Sequence, residues 1–420
     1  MVASTDIKFF VHSNNNAPQL QNAYGSMIGV LDACLVNGIS LGLVFSLTAI
    51  GTTVTAVFST AHNLMQYQVL KIADANQAEY NGEHRILTVP NATSVTFQLA
   101  SAPSITTATG TITASLPPLG WEKPFSSTHA NGGGKAAYRS KNLLLPSRPF
   151  LRVVDEPNLG YNTTYAKYAK VGIVEDMTDI DTMLGVQAPF DPALPDKNWV
   201  GTGSGASGFN GWAKWFYALS NIENSTSPKT GTPPDGARSH VVIGNGDCFY
   251  ILNRSHTSKS NHKRLCPYFF GSIDADYSKT HALAAVFEYT TNDTSVSTYS
   301  ATAASISDIS RNLILLRNLN LEASPVFCTT KSLIGSNIRS GYQNYIAAQN
   351  ITVPVMSFDV PIFEGATPRG KLPLIEWLAQ AAPYQNLAAF EANNELKVAV
   401  DCMAYEDGQV LFNVGVSNAT

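Results

Sequence analysis

A chain of 420 residues is long enough for two or three domains, each with its own core. Charged residues make up 14% of it, against roughly 25% in ordinary soluble domains, while Gly, Pro, Ser, Thr and Asn are abundant, a mix that suits short strands joined by many turns. A net charge of -4 excludes the basic surplus that a general attraction to nucleic acid or anionic membrane requires.

The five cysteines, Cys34, Cys248, Cys266, Cys328 and Cys402, are scattered and mostly set in apolar runs, and they read as reduced core residues. The amino-terminal M-V-A-S-T-D-I-K-F-F shows no basic segment followed by an apolar core, so it reads as no secretory signal, and synthesis in a cytoplasm is expected. The run 27–58 is longer than the roughly 20 apolar residues a bilayer needs. Asp32, Asn37, Gly38, Gly42 and Gly51 interrupt it, however, and its second half alternates. A helix followed by strands fits better than a span, because an unpaired Asp in hydrocarbon is costly.

In chain order, residues 6–12 read as a first strand or an extended arm. Ser26 is placed to cap a helix with the apolar face Met27, Leu31, Cys34 and Leu35, and Asn37-Gly38 supplies a left-handed stop. Gly25 and Gly29, with Asp32 on the other side, either admit another backbone closely or only lower the helix's intrinsic stability. From 47 to 115 the pattern is a small β module: T-V-T-A-V-F at 53–58, H-R-I-L-T-V at 84–89 and S-V-T-F-Q-L at 94–99 alternate with period two between turn residues, and T-G-T-I-T-A at 109–114 closes it. A sandwich or barrel of about five or six strands is expected from such a pattern.

The Pro- and Gly-rich stretch 117–140, P-P-L-G-W-E-K-P-F-S-S-T-H-A-N-G-G-G-K-A-A-Y-R-S, separates two compositions and reads as a packed elbow between that module and a body. In the body, strands are predicted at 150–155, 165–174, 212–219, 240–243, 249–252 and 282–290, with one or two helical turns at 175–184. Towards the carboxyl end further strands are predicted at 325–329, 353–358, 397–403 and 410–414, with a helix at 372–381. No internal repeat stands out. The fold class expected is mostly β and multidomain: a small β-sandwich or barrel module plus a larger antiparallel β body with few short helices. The divisions read are an arm and helix (1–46), the small β module (47–116), a β-rich body (117–310) and a C-terminal β/α region (311–420).

The small module, with its alternating strands around A-H-N-L and Y-N-G-E-H, resembles the small β modules that recur in phage tail and other virion proteins, with Asn63 where those carry Gly after the His. Five further landmarks follow in order over residues 7–290: 24–38 (Y-G-S-M-I-G-V-L-D-A-C-L-V-N-G), 118–125 with Ala137-Tyr138-Arg139, F-L-R-V-V-D at 150–155, E-D-M-T-D-I-D-T at 175–182 and S-H-V-V-I-G-N-G-D-C-F-Y-I-L at 239–252. Beyond about 313 the likeness is confined to R-G-K-L-P at 369–373. Together they resemble an uncharacterised family of tailed-bacteriophage virion structural proteins. That resemblance implies a part of the tail or baseplate, with no enzymatic residues to carry over.

Four constellations bear on chemistry. Gly203-Ser-Gly-Ala-Ser-Gly208 fits G-x-G-x-x-G, but it follows P-D-K-N rather than a strand and leads into W-A-K-W, so a loop is the reading taken and no cofactor is expected. Cys248, His256, His262 and Cys266 are the best metal candidates, two thiolates and two imidazoles for a tetrahedral zinc shell. Their spacing is not that of a known finger, and Arg254, Lys259, Lys263 and Arg264 surround them with positive charge, so a solvated basic loop is preferred and no metal is expected. Glu175, Asp176, Asp179 and Asp181 offer oxygens for calcium, against which ordinary helix-start carboxylates are favoured because no EF-hand spacing is present. No G-x-S-x-G elbow occurs, and the eight histidines recur with no Ser or Asp partner.

The function expected is therefore a non-enzymatic structural component of a tailed-phage virion, a tail or baseplate scaffold or connector. It would be made in the host bacterial cytoplasm and assembled with copies of itself in a symmetric ring and with other tail or baseplate proteins, without nucleic acid or membrane insertion. Its loops 191–211 and 220–236 exceed the roughly four to six residues of a median connection and read as ordered by partners. Two alternatives are a receptor- or glycan-binding tail module, suggested by Trp199, Trp212 and Trp215 as exposed aromatics, and an envelope-degrading hydrolase, for which no site is recognisable.

Overall fold

Period-two alternation punctuated by Gly, Asn and Pro turns yields strands almost throughout, and they assemble into three antiparallel sheets and a two-stranded ribbon. The structure is a computed structural model that describes residues 3–157, 163–190, 201–202, 209–210, 213–220, 231–255, 266–274, 280–287, 313–330, 355–378, 383–403 and 407–416. It is mostly β, as expected, with very few short helices.

The amino-terminal sheet orders its strands as Ile39–Leu43, Thr113–Leu116, Val69–Ala73, Gly82–Asn91, Ser94–Gln98, Thr53–Val57 and Ser46–Ile50. The last of these is tied back to the segment before Thr113 by a bridge between Thr48 and Thr107 and by Ala49 N donating to Thr106 O. The sheet thereby curls almost closed around Leu47, Val54, Ile72, Ile86, Val95 and Phe97, all buried. Asn63, where the resembling modules carry Gly, adopts φ 51°, a left-handed turn that Asn tolerates better than most residues.

The central sheet runs Val286–Phe287, Ala213–Phe216, Tyr168–Asp179, Phe150–Asp155, Gly134–Ser140 and Trp121–Thr128, with Thr182–Ala188 also paired to Tyr168–Asp179. The stretch read as an elbow is thus a hairpin at the sheet edge, where Pro124 costs no ladder bond in a central strand. The stretch read as helical turns at 175–184 is the end of one strand and the start of the next; Asp176↔Leu184 and Met177↔Met183 are paired, and packing of Val174 and Met177 on Ala137, Phe150 and Val154 overrides the local carboxylate pattern.

The longest sheet has twelve strands, from Lys8–Val11 at one edge through His240–Gly244, Cys248–Asn253, Cys266–Ser272 and His281–Ala284 to the carboxyl-terminal strands and Ala389–Ala392 at the other. It curls so that one face of its first half packs on its second half, as Tyr250 meets Phe412 with ring centroids 5.1 Å apart and donates its hydroxyl to Pro373 O at 2.7 Å. Of the helix predicted at 372–381, residues 372–378 belong instead to the strand Thr367–Leu378, and 379–381 lie outside the described residues; Leu372, Ile375 and Trp377 are claimed by this core, and a strand buries them.

The opposite face of the first half packs on the central sheet. Trp121 Nε1 donates to Asn245 O and Trp215 Nε1 to Ala284 O, both at 2.9 Å, and the two indoles lie among Phe249, Tyr268 and Phe270. Between the sheets lies the helix predicted from 26, α-helical over Ser26–Leu31 and π-helical over Asp32–Asn37, with Met27, Leu31, Cys34 and Leu35 buried as its pattern required. Cys34, Cys248, Cys328 and Cys402 are buried, and no disulfide joins them. Among the described residues no helix is long and apolar enough to cross a membrane.

Candidate functional site

The zinc candidates are not gathered. Cys248 pairs with Gly271 and Cys266 with Asn253, so the two cysteines occupy opposite ends of one strand pair, five positions and roughly 17 Å apart at about 3.4 Å per residue. Thiolates on one zinc must both lie at about 2.3 Å from it. Cys248 is buried with its Sγ 3.7 Å from Asn245 Oδ1, while His256 and His262 lie outside the described residues.

The carboxylates of 175–181 are likewise spent within the chain. Glu175 accepts from Arg317, Asp181 accepts from Lys135 Nζ and Arg152 at 2.7 Å each, and Asp179 Oδ1 takes the amide of Asp181 at 3.0 Å. Among the described residues no group of three or more His, Cys, Asp or Glu is arranged to hold a metal. Gly203 to Gly208 lie outside the described residues; their flanks Gly201–Thr202 and Phe209–Asn210 pair with each other. Trp215 is fully buried rather than exposed, and Trp199 and Trp212 are outside the described residues.

The structure instead gathers residues that motif reading passed over. The first group centres on Asp155, fully buried at the end of its strand. Its Oδ1 accepts the hydroxyl of Tyr217 at 2.8 Å and its Oδ2 the amide of Met27 at 3.1 Å. Burial pushes its carboxyl up to about 7, against the pull of Tyr217 and of the amides of Met27, Gly25 and Ile28. Ser26, expected to cap the helix, instead donates its hydroxyl to Gln21 O and Ala23 O; a carboxylate from another strand does the capping. The other side of the helix is held by Asp32, which accepts from Tyr138 at 2.7 Å and Lys123 at 2.6 Å.

The second group is a row of cations across the outer face of the central sheet. The registers Lys135↔Val154, Val154↔Lys170 and Lys170↔Lys214 align three lysines on four neighbouring strands, with Arg152 one row further along. Lys170, Lys214 and Arg152 are buried. Desolvation holds Lys170 down to about 7, with Glu156 opposing and Arg152, Lys214 and Lys135 adding to the fall; Lys167 is held at about 8 by burial and by Lys214. An ammonium at about 7 exchanges its proton at neutral pH, and the like charges beside it make protonation of one lysine cost the next. The sequence signal for both groups was an ionisable residue inside an apolar strand, as in A-K-Y-A-K-V-G-I-V, W-A-K-W-F and F-L-R-V-V-D.

Asp155 and Asp181 each hold two elements together through hydrogen bonds and ion pairs within the chain. Compared with known proteins, the chain matches no protein-family model and no curated protein sequence.

Proposed function

We propose that the chain is a structural component of a tailed-phage virion, a tail or baseplate scaffold or connector that works by packing against copies of itself and against neighbouring tail proteins. The observation that carries this reading is a set of large apolar side chains presented to solvent by hydrogen-bonded turns and strands. Leu143 and Leu144 are 77% and 92% exposed in a turn fixed by Asn142, whose Oδ1 accepts the amide of Leu144 at 3.0 Å and whose Nδ2 donates to Asp247 at 2.7 Å. Phe45, just before the strand Ser46–Ile50, and Ile50, its last residue, are 77% and 89% exposed, with Ile105 brought opposite Ile50 by the Thr48–Thr107 bridge. Apolar side chains held out by ordered turns suit burial against a partner.

The sequence resemblance supports the same assignment, and the capping and ion-pair roles of Asp155 and Asp181 give the polar clusters structural work that needs no substrate. The test is immuno-electron microscopy of purified virions with an antibody to this chain. Regularly placed label on tail or baseplate is expected; label absent from particles, with the chain free in the lysate, overturns the proposal.

A further inference from the structure

The inner face of the twelve-stranded sheet changes character at one end. Phe10, Val242, Ile251 and Tyr268 form an apolar row across four neighbouring strands. The next row holds His12, His240 and Asn253: His240 pairs with Asn253, and His12 N donates to His240 O at 2.9 Å, with the two imidazole centroids 6.0 Å apart. Arg238, two positions before His240 and bridged to Leu20, borders this row. Asn253 is 0% exposed and Arg238 1%.

Hydrogen bonding fixes what each side chain offers. Asn253 Nδ2 donates to Phe216 O at 2.7 Å and Asn22 Nδ2 to Pro233 O at 2.9 Å, so neither amide can be flipped without losing a bond. Each therefore turns its Oδ1 inward as a buried acceptor with no protein partner. Arg238 donates NH1 to Gly236 O and NH2 to Pro234 O, both at 2.6 Å, which leaves its buried Nε–H with no protein partner among the described residues. Each buried polar atom left unmet in this way costs roughly 1–3 kcal/mol.

We infer that this row is a hydration site, in which ordered internal water meets Asn253 Oδ1 and Arg238 Nε–H. The mixed chemistry selects the ligand. A cation would meet the Arg238 guanidinium, and an anion would meet the Asn253 amide oxygen, whereas water donates to that oxygen and accepts from Nε–H. His240 is kept neutral by burial, held at about 4, and donates Nδ1–H to Arg238 O, so the row carries no charge that an ion is needed to balance beyond the guanidinium itself. The seam where the amino-terminal arm meets the sheet and Phe216 is therefore wet, while the adjoining aromatic rows are dry.

The test is diffraction from crystals of the wild-type chain grown with bromide as the only halide, to a resolution that shows ordered water. Peaks within about 2.7–3.2 Å of Asn253 Oδ1 and Arg238 Nε, without anomalous signal, are expected. An anomalous bromide peak at Arg238 overturns the inference in favour of an anion site. Direct protein bonds to these atoms, or no density beside them, overturn it as well.

Discussion

Asp155 and His240 are both buried titratable residues, and their protonation works on stability in opposite directions. The folded carboxyl of Asp155, at about 7, lies above its ordinary 3.8. Below pH 4 both folded and unfolded forms are protonated; as pH rises towards 7 only the unfolded chain releases the proton, so the fold loses up to roughly 4 kcal/mol over that window. Asp155→Asn keeps one acceptor and abolishes the titration. Urea midpoints of the two proteins should therefore shift relative to one another between pH 4.5 and 7.5, the wild type losing ground; parallel curves would show that Asp155 does not titrate in this range. His240 has a folded value of about 4, below its ordinary 6.5. Its contribution is present above pH 6.5 and is lost as pH falls from there towards 4, on the order of 3 kcal/mol. In His240→Gln that acid sensitivity should be reduced, as read by thermal unfolding at pH 5 and pH 7.

At the scale of elements, the helix at 26–37 is seated by glycine and not by its own caps. Gly25 has φ 86°, and a Cβ there would lie 2.9 Å from Gly133 Cα; a Cβ on Gly133, at φ 71°, would collide with the carbonyl oxygen of Asp155. These two backbones touch because neither residue has a side chain, which answers for Gly25 the question its sequence left open. Gly29 is different, since a Cβ there meets nothing within 4 Å. Gly29→Ala should stabilise the protein by roughly 0.5–1 kcal/mol through helix propensity. Gly133→Ala should destabilise it by at least the ~1–2 kcal/mol of a left-handed Ala, with the carbonyl clash in addition. Calorimetry of the two variants checks the pair, and equal effects would contradict the seating described.

For the whole molecule, function rests on what the outside of the sheets presents. Replacing Leu143 and Leu144 by Ser alters two highly exposed side chains, so the melting temperature should hardly move, surface changes usually staying within about 0.5 kcal/mol. If the chain is an assembly part, the same double variant should lose incorporation into particles, measured by quantitative blotting of purified virions. Normal incorporation would remove this turn from the interface. A loss accompanied by unfolding would show instead that the turn is structural.

Much of the β architecture was legible in the sequence because side-chain alternation is local: strands at 53–58, 94–99, 150–155, 240–243 and 249–252 are where period two and β-branched residues placed them. The buried helix face of Met27, Leu31, Cys34 and Leu35 was legible for the same reason. Where two local signals competed, as at 175–184 and 372–381, the winner was set by which sheet had room for Val174, Met177, Ile375 and Trp377. The polar clusters lay beyond sequence reading altogether. Asp155 meets Met27 across 128 positions, and His240 comes opposite Asn253 only after the sheet is paired. Composition determined a turn-rich β protein of low charge; tertiary pairing alone decided which ionisable groups left water, because burial and partners at that range depend on strand register.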